Sequence, residues 1–276
     1  MKNVNNRPIG IFDSGIGGLT VLREIEKLLP GEDLIYFGDT ARVPYGTKSA
    51  DTVIRYSLQI AEFLKTKKIK MLVVGCNTAS AYAITKLQQK LSFPVSGVIV
   101  AGVKAALAHT RNGNIAVIGT EGTIGSGSYK KILMNKKSYA QYTGKKISYI
   151  GKACPLFVPL VEEGWLNGHI TEDIARTYLK TIRSSGCDTI ILGCTHYPLL
   201  KKVINKVLGK NISIVDSAEE TAGNVFNILH AKSMVNPQKN KGKRMFYVSD
   251  SPDKFCRIGQ LFLKKKIEQI SLVRLD

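Results

Sequence analysis

Two short stretches of the chain decide its fold class: Leu72-Val73-Val74-Gly75-Cys76-Asn77-Thr78 and Ile190-Ile191-Leu192-Gly193-Cys194-Thr195-His196. Each has an apolar run, then a Gly-Cys pair, then two polar residues. A short apolar run without polar interruptions is typical of a strand that is covered on both faces of a sheet. The likeness between the stretches hints at two related α/β lobes, each with a thiol at the end of a central strand.

Strand-like runs recur along the whole chain and alternate with helical patterns. Helices are predicted at residues 17–29 and 49–65, where apolar residues recur every three or four positions, and Ser49 is expected to cap the second helix. The alternation predicts an α/β fold of two similar lobes, each a mainly parallel sheet flanked by helices, with the active site in the cleft between them. Strands are predicted at residues 8–12, 34–37, 71–75, 95–98, 115–118, 189–192, 212–215, 245–248 and 270–273.

The composition excludes several classes of protein. The chain has 276 residues, of which 44% are hydrophobic and 22% charged, and this balance argues against disorder. No apolar run approaches the ~20 residues that span a bilayer, and residues 1–8 lack the apolar core of a signal peptide. The expected location is therefore the cytoplasm, with no membrane partner.

Five cysteines are present, but no two of them form a Cys-x-x-Cys pair. Histidine and cysteine do not recur at the spacing of metal ligands, so no metal site is expected. Without a signal peptide, reduced thiols in a cytosol are the expected state.

The net charge of +19 raises the expectation of an anionic partner. The basic residues fall in scattered runs, such as 65–70, 239–244 and 264–266, and aromatic residues do not alternate with them as stacking platforms would. The pattern favours a basic, solvated surface over a nucleic-acid partner. A basic α/β module that binds anions or nucleic acid stays open as an alternative, and it predicts an affinity that falls steeply with salt.

The segments after the predicted strands are small, polar and rich in hydrogen-bond donors. In parallel sheets, ligands bind at the carboxyl ends of strands, where helix N-termini also point. Gly15-x-Gly17-Gly18 lacks the third glycine of the dinucleotide fingerprint, because Thr20 follows instead. These segments suit a small anionic ligand and predict no cofactor. They comprise residues 13–18, 38–46, 76–79, 119–123 and 194–198.

Cys76 and Cys194 each lie between a predicted strand and a predicted helix, where a helix N-terminus stabilises a thiolate. Lowering the pKa of a thiol from about 8.5 to about 7 requires ~2 kcal/mol. One thiolate that removes a proton from a carbon, and a second thiol that protonates the far face, invert a stereocentre without a cofactor. The other cysteines, Cys154, Cys187 and Cys256, are expected to be structural.

Several motifs in chain order are similar to those of one family. The most specific are Gly38-Asp39-Thr40-Ala41-Arg42-Val43-Pro44-Tyr45-Gly46 and Gly193-Cys194-Thr195-His196-Tyr197-Pro198. Residues 10–15, 17–20, 75–79, 153–157 and 216–218 add to them. Through these motifs, nearly end to end, the chain resembles the glutamate racemases, which are cofactor-independent enzymes of bacterial cell-wall precursor synthesis.

The resemblance implies an isomerase that interconverts L-glutamate and D-glutamate by two-cysteine proton transfer and supplies D-glutamate for peptidoglycan. Cys76 would work on the D-glutamate face and Cys194 on the L-glutamate face. Asp13, His196 and Glu162 would assist the thiols as further catalytic groups. The substrate contacts that the resemblance implies are Asp13, Ser14, Pro44, Tyr45, Gly46, Asn77, Thr78, Thr120, Thr123, Thr195 and His196.

The resemblance also suggests where the lobes begin and end. The first lobe is expected to comprise residues 1–100 plus 213–276 and the second residues 101–212. The oligomeric state is left open, with a homodimer as one option. An aspartate or hydantoin racemase of the same superfamily is the nearest alternative; His196 and residues 39–46 favour glutamate, and the length of the pocket would decide.

Overall fold

The computed structural model describes residues 4–135, 144, 146–267 and 269–275 and divides into two compact units. Unit 1 comprises Met1–Val98 and Ala218–Asp276, and unit 2 comprises Ile99–Ser217. Each unit has a parallel sheet and flanking helices. The predicted α/β class with two parallel sheets is confirmed.

Strands and helices alternate along most of the chain. The strands are β1 (Ile9–Asp13), β2 (Leu34–Gly38), β3 (Met71–Val74), β4 (Val95–Gly97), β5 (Asn114–Gly119), β6 (Ser148–Ala153), β7 (Thr189–Gly193), β8 (Ser213–Asp216), β9 (Arg244–Val248) and β10 (Ile270–Leu272). The helices are α1 (Leu19–Leu28), α2 (Ala50–Thr66), α3 (Asn77–Tyr82), α4 (Ile84–Lys90), α5 (Val98–His109), α6 (Glu121–Gly125), α7 (Ser128–Leu133), α8 (Phe157–Glu162), α9 (His169–Ser184), α10 (Lys201–Leu208), α11 (Ser217–Ala231) and α12 (Pro252–Leu263). Short 3₁₀ turns occur at Val4–Asn6, Tyr45–Thr47 and Tyr197–Leu200.

The sheet of unit 1 has the strand order β10-β9-β2-β1-β3-β4, and each neighbouring pair is parallel. All residues of β1, β2 and β3 are buried, which explains why their sequences are almost wholly apolar. Ser49 caps α2 by accepting a hydrogen bond from the Thr52 backbone N–H, as predicted. This arrangement fixes the loops that follow β1, β2 and β3.

The sheet of unit 2 has the order β6-β5-β7-β8, again with parallel pairs. The expected lobe boundary at residue 213 is wrong, because β8 pairs with β7 in unit 2, where Ile190 lies opposite Ile214. The strand β6 was not predicted from the sequence. Its residues are exposed or only partly buried, so they form no continuous apolar run.

None of the described helices is long and apolar enough to cross a membrane.

Candidate active site

In unit 1 the predicted site residues lie where β1, β2 and β3 end side by side. Asp13 lies opposite Gly38, and Phe12 lies opposite Val74. Backbone hydrogen bonds continue this pairing past the strands, from Asp39 N to Asp13 O at 3.1 Å and from Gly75 N to Phe12 O at 2.8 Å. The pairing therefore places Asp13 and the residues just after Gly75 at the same edge of the sheet.

Cys76 is the first side chain after this edge and caps α3. Its Sγ accepts a hydrogen bond from the Ala79 backbone N–H at 3.4 Å and lies 3.6 Å from Ser14 Oγ. The residue is buried, and Asn77 and Thr78 beside it are buried as well. The sulfur therefore accepts from a backbone N–H and donates to a serine hydroxyl oxygen.

Asp13 is a buried carboxylate in the same neighbourhood. Its Oδ1 accepts a hydrogen bond from the Gly15 backbone N–H at 2.9 Å. The pKa of the nearby Tyr36 is raised well above its usual value, first by burial and then by the negative charges of Asp13 and Cys76. Asp13, Cys76 and the end of β1 therefore share one polar region, where a carboxylate can influence the thiol.

The segment Pro44-Tyr45-Gly46 follows β2 and forms the start of the 3₁₀ turn. Tyr45 is buried in the apolar cluster that includes Cys76 and Ala79, and its hydroxyl donates to Asp39 Oδ2. The hydroxyl is thus occupied by a protein carboxylate. The first backbone N–H groups of such a turn have no partner inside the turn.

In unit 2, the ends of β5 and β7 lie beside each other, with Gly119 opposite Gly193. Thr120 follows β5 and caps α6 by accepting a hydrogen bond from the Thr123 backbone N–H at 3.2 Å. The Thr120 hydroxyl donates to Thr123 Oγ1 at 3.0 Å. These two predicted contact residues are therefore hydrogen-bonded to each other next to β7, the strand that Cys194 follows.

Cys194, His196 and Glu162 form a chain of polar contacts in unit 2. Cys194 Sγ lies 3.9 Å from His196 Nδ1, and His196 Nε2 lies 3.3 Å from Glu162 Oε1. Cys194, Thr195 and His196 are buried, whereas the Glu162 side chain keeps 22% of its surface exposed. The sequence-predicted pairing of His196 with Cys194 therefore extends to a carboxylate from α8.

The pKa of His196 lies above its ordinary value because two acidic partners outweigh burial. Burial alone lowers it, but hydrogen bonds and charge interactions with Cys194 and Glu162 raise it by more. An imidazolium is therefore favoured at neutral pH. His196 therefore brings a positive charge to within 3.9 Å of the Cys194 sulfur.

The other cysteines have surroundings that suit structural roles, as expected from the sequence. Cys154 is fully buried, and burial raises the pKa of its thiol to about 12. Burial also raises the pKa of Cys187, whose Sγ contacts the Ile182 carbonyl oxygen at 3.7 Å. Cys256 Sγ lies 3.7 Å from the Ile267 carbonyl oxygen.

Within the described ranges, no group of three or more His, Cys, Asp or Glu side chains is placed to hold a metal ion. In unit 1 the structure brings Asp13, Ser14 and Cys76 together. In unit 2 it brings Cys194, His196 and Glu162 together. One buried group next to these residues, Asp39, had no predicted role, although it lies in a motif that the sequence singles out.

Three comparisons agree with this arrangement. The family model described as Asp/Glu/Hydantoin racemase matches residues 9–225. The chain is 53% identical to a glutamate racemase from Geobacter metallireducens over 270 residues, which cover 98% of this chain and 97% of that protein.

Among solved structures, a glutamate racemase from Francisella tularensis in complex with D-glutamate superposes with a TM-score of 0.91 at 38% identity, covering 99% of both chains. The RacE1 isoform of glutamate racemase from Bacillus anthracis gives a TM-score of 0.92 at 39% identity and covers 98% of both chains. The matches extend over the strand ends described above in both units. The chain belongs to the Asp/Glu/hydantoin racemase family.

Proposed function

We propose that the protein is a glutamate racemase that interconverts L-glutamate and D-glutamate by two-base proton transfer at the α-carbon. The observation that carries the proposal is the 53% identity to a glutamate racemase over 98% of the chain. The complex of the Francisella tularensis relative with D-glutamate supports glutamate as the ligand. The two Gly-Cys pairs, each at the end of a central strand, supply the acid and base that such a reaction needs.

Cys194 is the base toward L-glutamate in this proposal. Its thiolate accepts the α-proton, and the His196 imidazolium stabilises that thiolate before the transfer. Glu162 keeps His196 charged and oriented through the 3.3 Å contact with Nε2. Histidine held between a thiol and a carboxylate has the geometry of a group that activates a neighbouring nucleophile or base.

Cys76 completes the L-to-D direction as the acid. Its thiol delivers a proton to the opposite face of the α-carbon and becomes the thiolate. The Ala79 N–H and Ser14 hydroxyl beside the sulfur stabilise that thiolate. After one turnover the two cysteines have exchanged protonation states, so the D-to-L direction uses the same groups in reversed roles.

Neutral donors bind the substrate in this proposal, and no metal or cofactor takes part. Their hydrogen bonds are strongest toward a carboxylate, because one partner is ionised. Asp13 meets the substrate's amino group in this proposal, since a buried carboxylate repels the substrate's own carboxylates. The proposed donors are Ser14, the backbone of Tyr45 and Gly46, Asn77, Thr78, Thr120, Thr123 and Thr195.

The proposed cellular role is the supply of D-glutamate for peptidoglycan in the cytoplasm, where thiols stay reduced.

The first prediction concerns the two thiols. Purified protein in heavy water, without pyridoxal phosphate, is given L-glutamate, and D-glutamate and α-deuterium are followed by chiral chromatography and NMR. Two bases predict deuterium in the newly formed D-glutamate, while recovered L-glutamate stays protonated early in the reaction. Cys76→Ala and Cys194→Ala should each abolish racemisation, because each removes the base for one face.

Cys256→Ala is the matched control and should keep wild-type turnover. Wild-type turnover in either active-site variant would contradict the two-thiol assignment. Rapid turnover of aspartate or a hydantoin, with none of glutamate, would instead assign the family's other chemistry to this chain.

A further inference from the structure

Asp39 lies in the loop after β2 and is a completely buried carboxylate. A carboxylate without water is stable only where donors surround it. Arg42 Nε lies 3.0 Å from Oδ1 and 2.8 Å from Oδ2, Ser249 Oγ donates to Oδ1 at 2.8 Å, and the Tyr45 hydroxyl donates to Oδ2. Three side chains therefore meet at Asp39, two from its own loop and one from the segment after β9.

Arg42 is itself fixed by α2. Its Nη1 donates to Gln59 Oε1 at 2.6 Å, and its guanidinium lies 4.1 Å from the centre of the Tyr56 ring. The Tyr56 ring in turn lies 5.9 Å from the Tyr45 ring. These contacts with α2 fix the Arg42 guanidinium beside Asp39.

Ser249 holds the other side, and it comes from the segment after β9. Its Oγ accepts a hydrogen bond from the Ala41 backbone N–H at 2.9 Å while donating to Asp39, and its own N–H donates to Gly38 O at 3.1 Å. The backbone N–H of the next residue, Asp250, donates to Thr40 Oγ1 at 2.8 Å, and the Asp250 carbonyl oxygen accepts from the Thr40 hydroxyl. Residues 249–250 therefore form hydrogen bonds with four consecutive residues at the start of the loop after β2, 38–41.

Tyr45 is the part of this loop that carries a proposed substrate contact. Its hydroxyl ends on Asp39, and its ring is buried, so the position of the Tyr45–Gly46 backbone follows the position of Asp39. We propose that Ser249 is a positioning residue, which acts through Asp39 to set the Tyr45–Gly46 backbone and thereby the affinity for a substrate carboxylate. This inference rests on the proposed substrate contact of Tyr45 and Gly46.

The test compares Ser249→Ala with the wild type in the glutamate racemisation assay. We expect KM to rise about fivefold for both enantiomers, the loss typical of one hydrogen bond, with kcat changed less than about twofold. Ser249→Thr keeps the hydroxyl and should restore most of the affinity. Ser271→Ala removes a hydroxyl from an exposed position on β10 and should leave KM unchanged.

A double-mutant cycle shows whether Ser249 acts through Tyr45. Tyr45→Phe removes the other hydroxyl on Asp39, so the combined Ser249→Ala, Tyr45→Phe variant should raise KM by less than the product of the two single effects. Melting temperatures of all variants separate this effect from a general loss of stability, which does not raise KM of the folded enzyme.

An unchanged KM in Ser249→Ala, or fully multiplicative effects in the double variant, would overturn the inference while glutamate racemisation by the wild type stands. A wild type that does not racemise glutamate contradicts the proposed function itself, so the two failures are distinct.

Discussion

His196 is held between two acidic groups, and its charge depends on both. The Cys194 sulfur lies on its Nδ1 side and Glu162 on its Nε2 side. Burial works against the imidazolium, but these two partners together raise the pKa. The residue therefore links the thiol next to its Nδ1 to the carboxylate next to its Nε2.

Replacing Glu162 by glutamine tests this link, because the amide has the same shape without the charge. We expect the Glu162→Gln variant to have a lower His196 pKa and a lower kcat, since the thiolate loses part of its stabilisation. NMR titration of the His196 imidazole measures the pKa directly. Glu163→Gln, at an exposed neighbouring position, is the matched control and should leave the titration unchanged.

The same variant has a pH dependence of stability whose sign follows from the raised pKa. A histidine with a raised folded-state pKa contributes stability that is complete below its unfolded pKa of about 6.5 and is lost as the pH rises through the folded value. The difference in melting temperature between wild type and Glu162→Gln should therefore be largest near about pH 6 and shrink in alkaline buffer. A difference that grows with pH would contradict the charged pairing.

At the scale of elements, the glycine before each of the two proposed catalytic cysteines lets neighbouring strand ends approach closely. A Cβ at Gly193 would lie 2.8 Å from the Ile118 carbonyl oxygen, whereas a Cβ at Gly75 would lie 3.2 Å from the Phe12 carbonyl oxygen. A side chain at position 193 would therefore push the two strand ends apart, whereas a side chain at position 75 would make only a tight contact. The end of β7 is therefore the less tolerant of the two.

We expect Gly193→Ala to displace Cys194 and to lower kcat/KM by about tenfold or more, since misplacing a catalytic group by ~1 Å is costly. Gly75→Ala should have a smaller effect. Gly223→Ala, in α11 where a Cβ meets nothing within 4 Å, should leave activity intact and raise the melting temperature. Steady-state kinetics on the three variants checks the order; an equal loss in both strand-end variants would contradict it.

The sequence predicted the central strands well because their side chains are uniformly apolar. β3 and β7 lie within a residue of the prediction at either end. β6 was missed because an edge strand with partly exposed side chains lacks that signal. β8 was found but assigned to the wrong unit, because the choice of a pairing partner is not written in the strand's own residues.

The candidate site was predictable where the chemistry lies in consecutive residues, as in Cys194-Thr195-His196. The hydrogen bond from Ser249 to Asp39 was not predictable, since these residues lie 210 positions apart in the chain. Periodicity and motif spacing describe neighbours along the chain. They cannot show which distant loop comes to lie next to a given residue when the strands pair in a parallel sheet.

At the scale of the molecule, a buried ion pair joins the distant parts of unit 1. Lys70 Nζ lies 2.6 Å from Glu32 Oε2 and donates to the carbonyl oxygens of Asn5 and Met234, each at 2.7 Å. Glu32 Oε1 accepts a hydrogen bond from the Asn236 backbone N–H. Burial lowers the pKa of Lys70, and Glu32 offsets part of that effect.

Lys70→Met should destabilise the protein by about 3–5 kcal/mol, because it leaves the Glu32 charge buried without its partner. Adding Glu32→Gln to this variant should recover part of the loss. Lys86→Met, at an exposed position of α4, is the control and should change stability little. Urea unfolding at neutral pH measures all three; a Lys70→Met protein as stable as the control would show that the pair contributes nothing.

The division of the chain has a consequence for biosynthesis. Unit 2 is one continuous stretch, whereas the sheet of unit 1 gains β9 beside β2 only after residues 244–248 have been made. During translation, unit 2 can therefore fold while β2 still has an unpaired edge, since domains generally fold as units as they emerge from the ribosome. Ser249 is made later still, so the nascent chain can complete the hydrogen bonds of the loop after β2 only near the end of its synthesis.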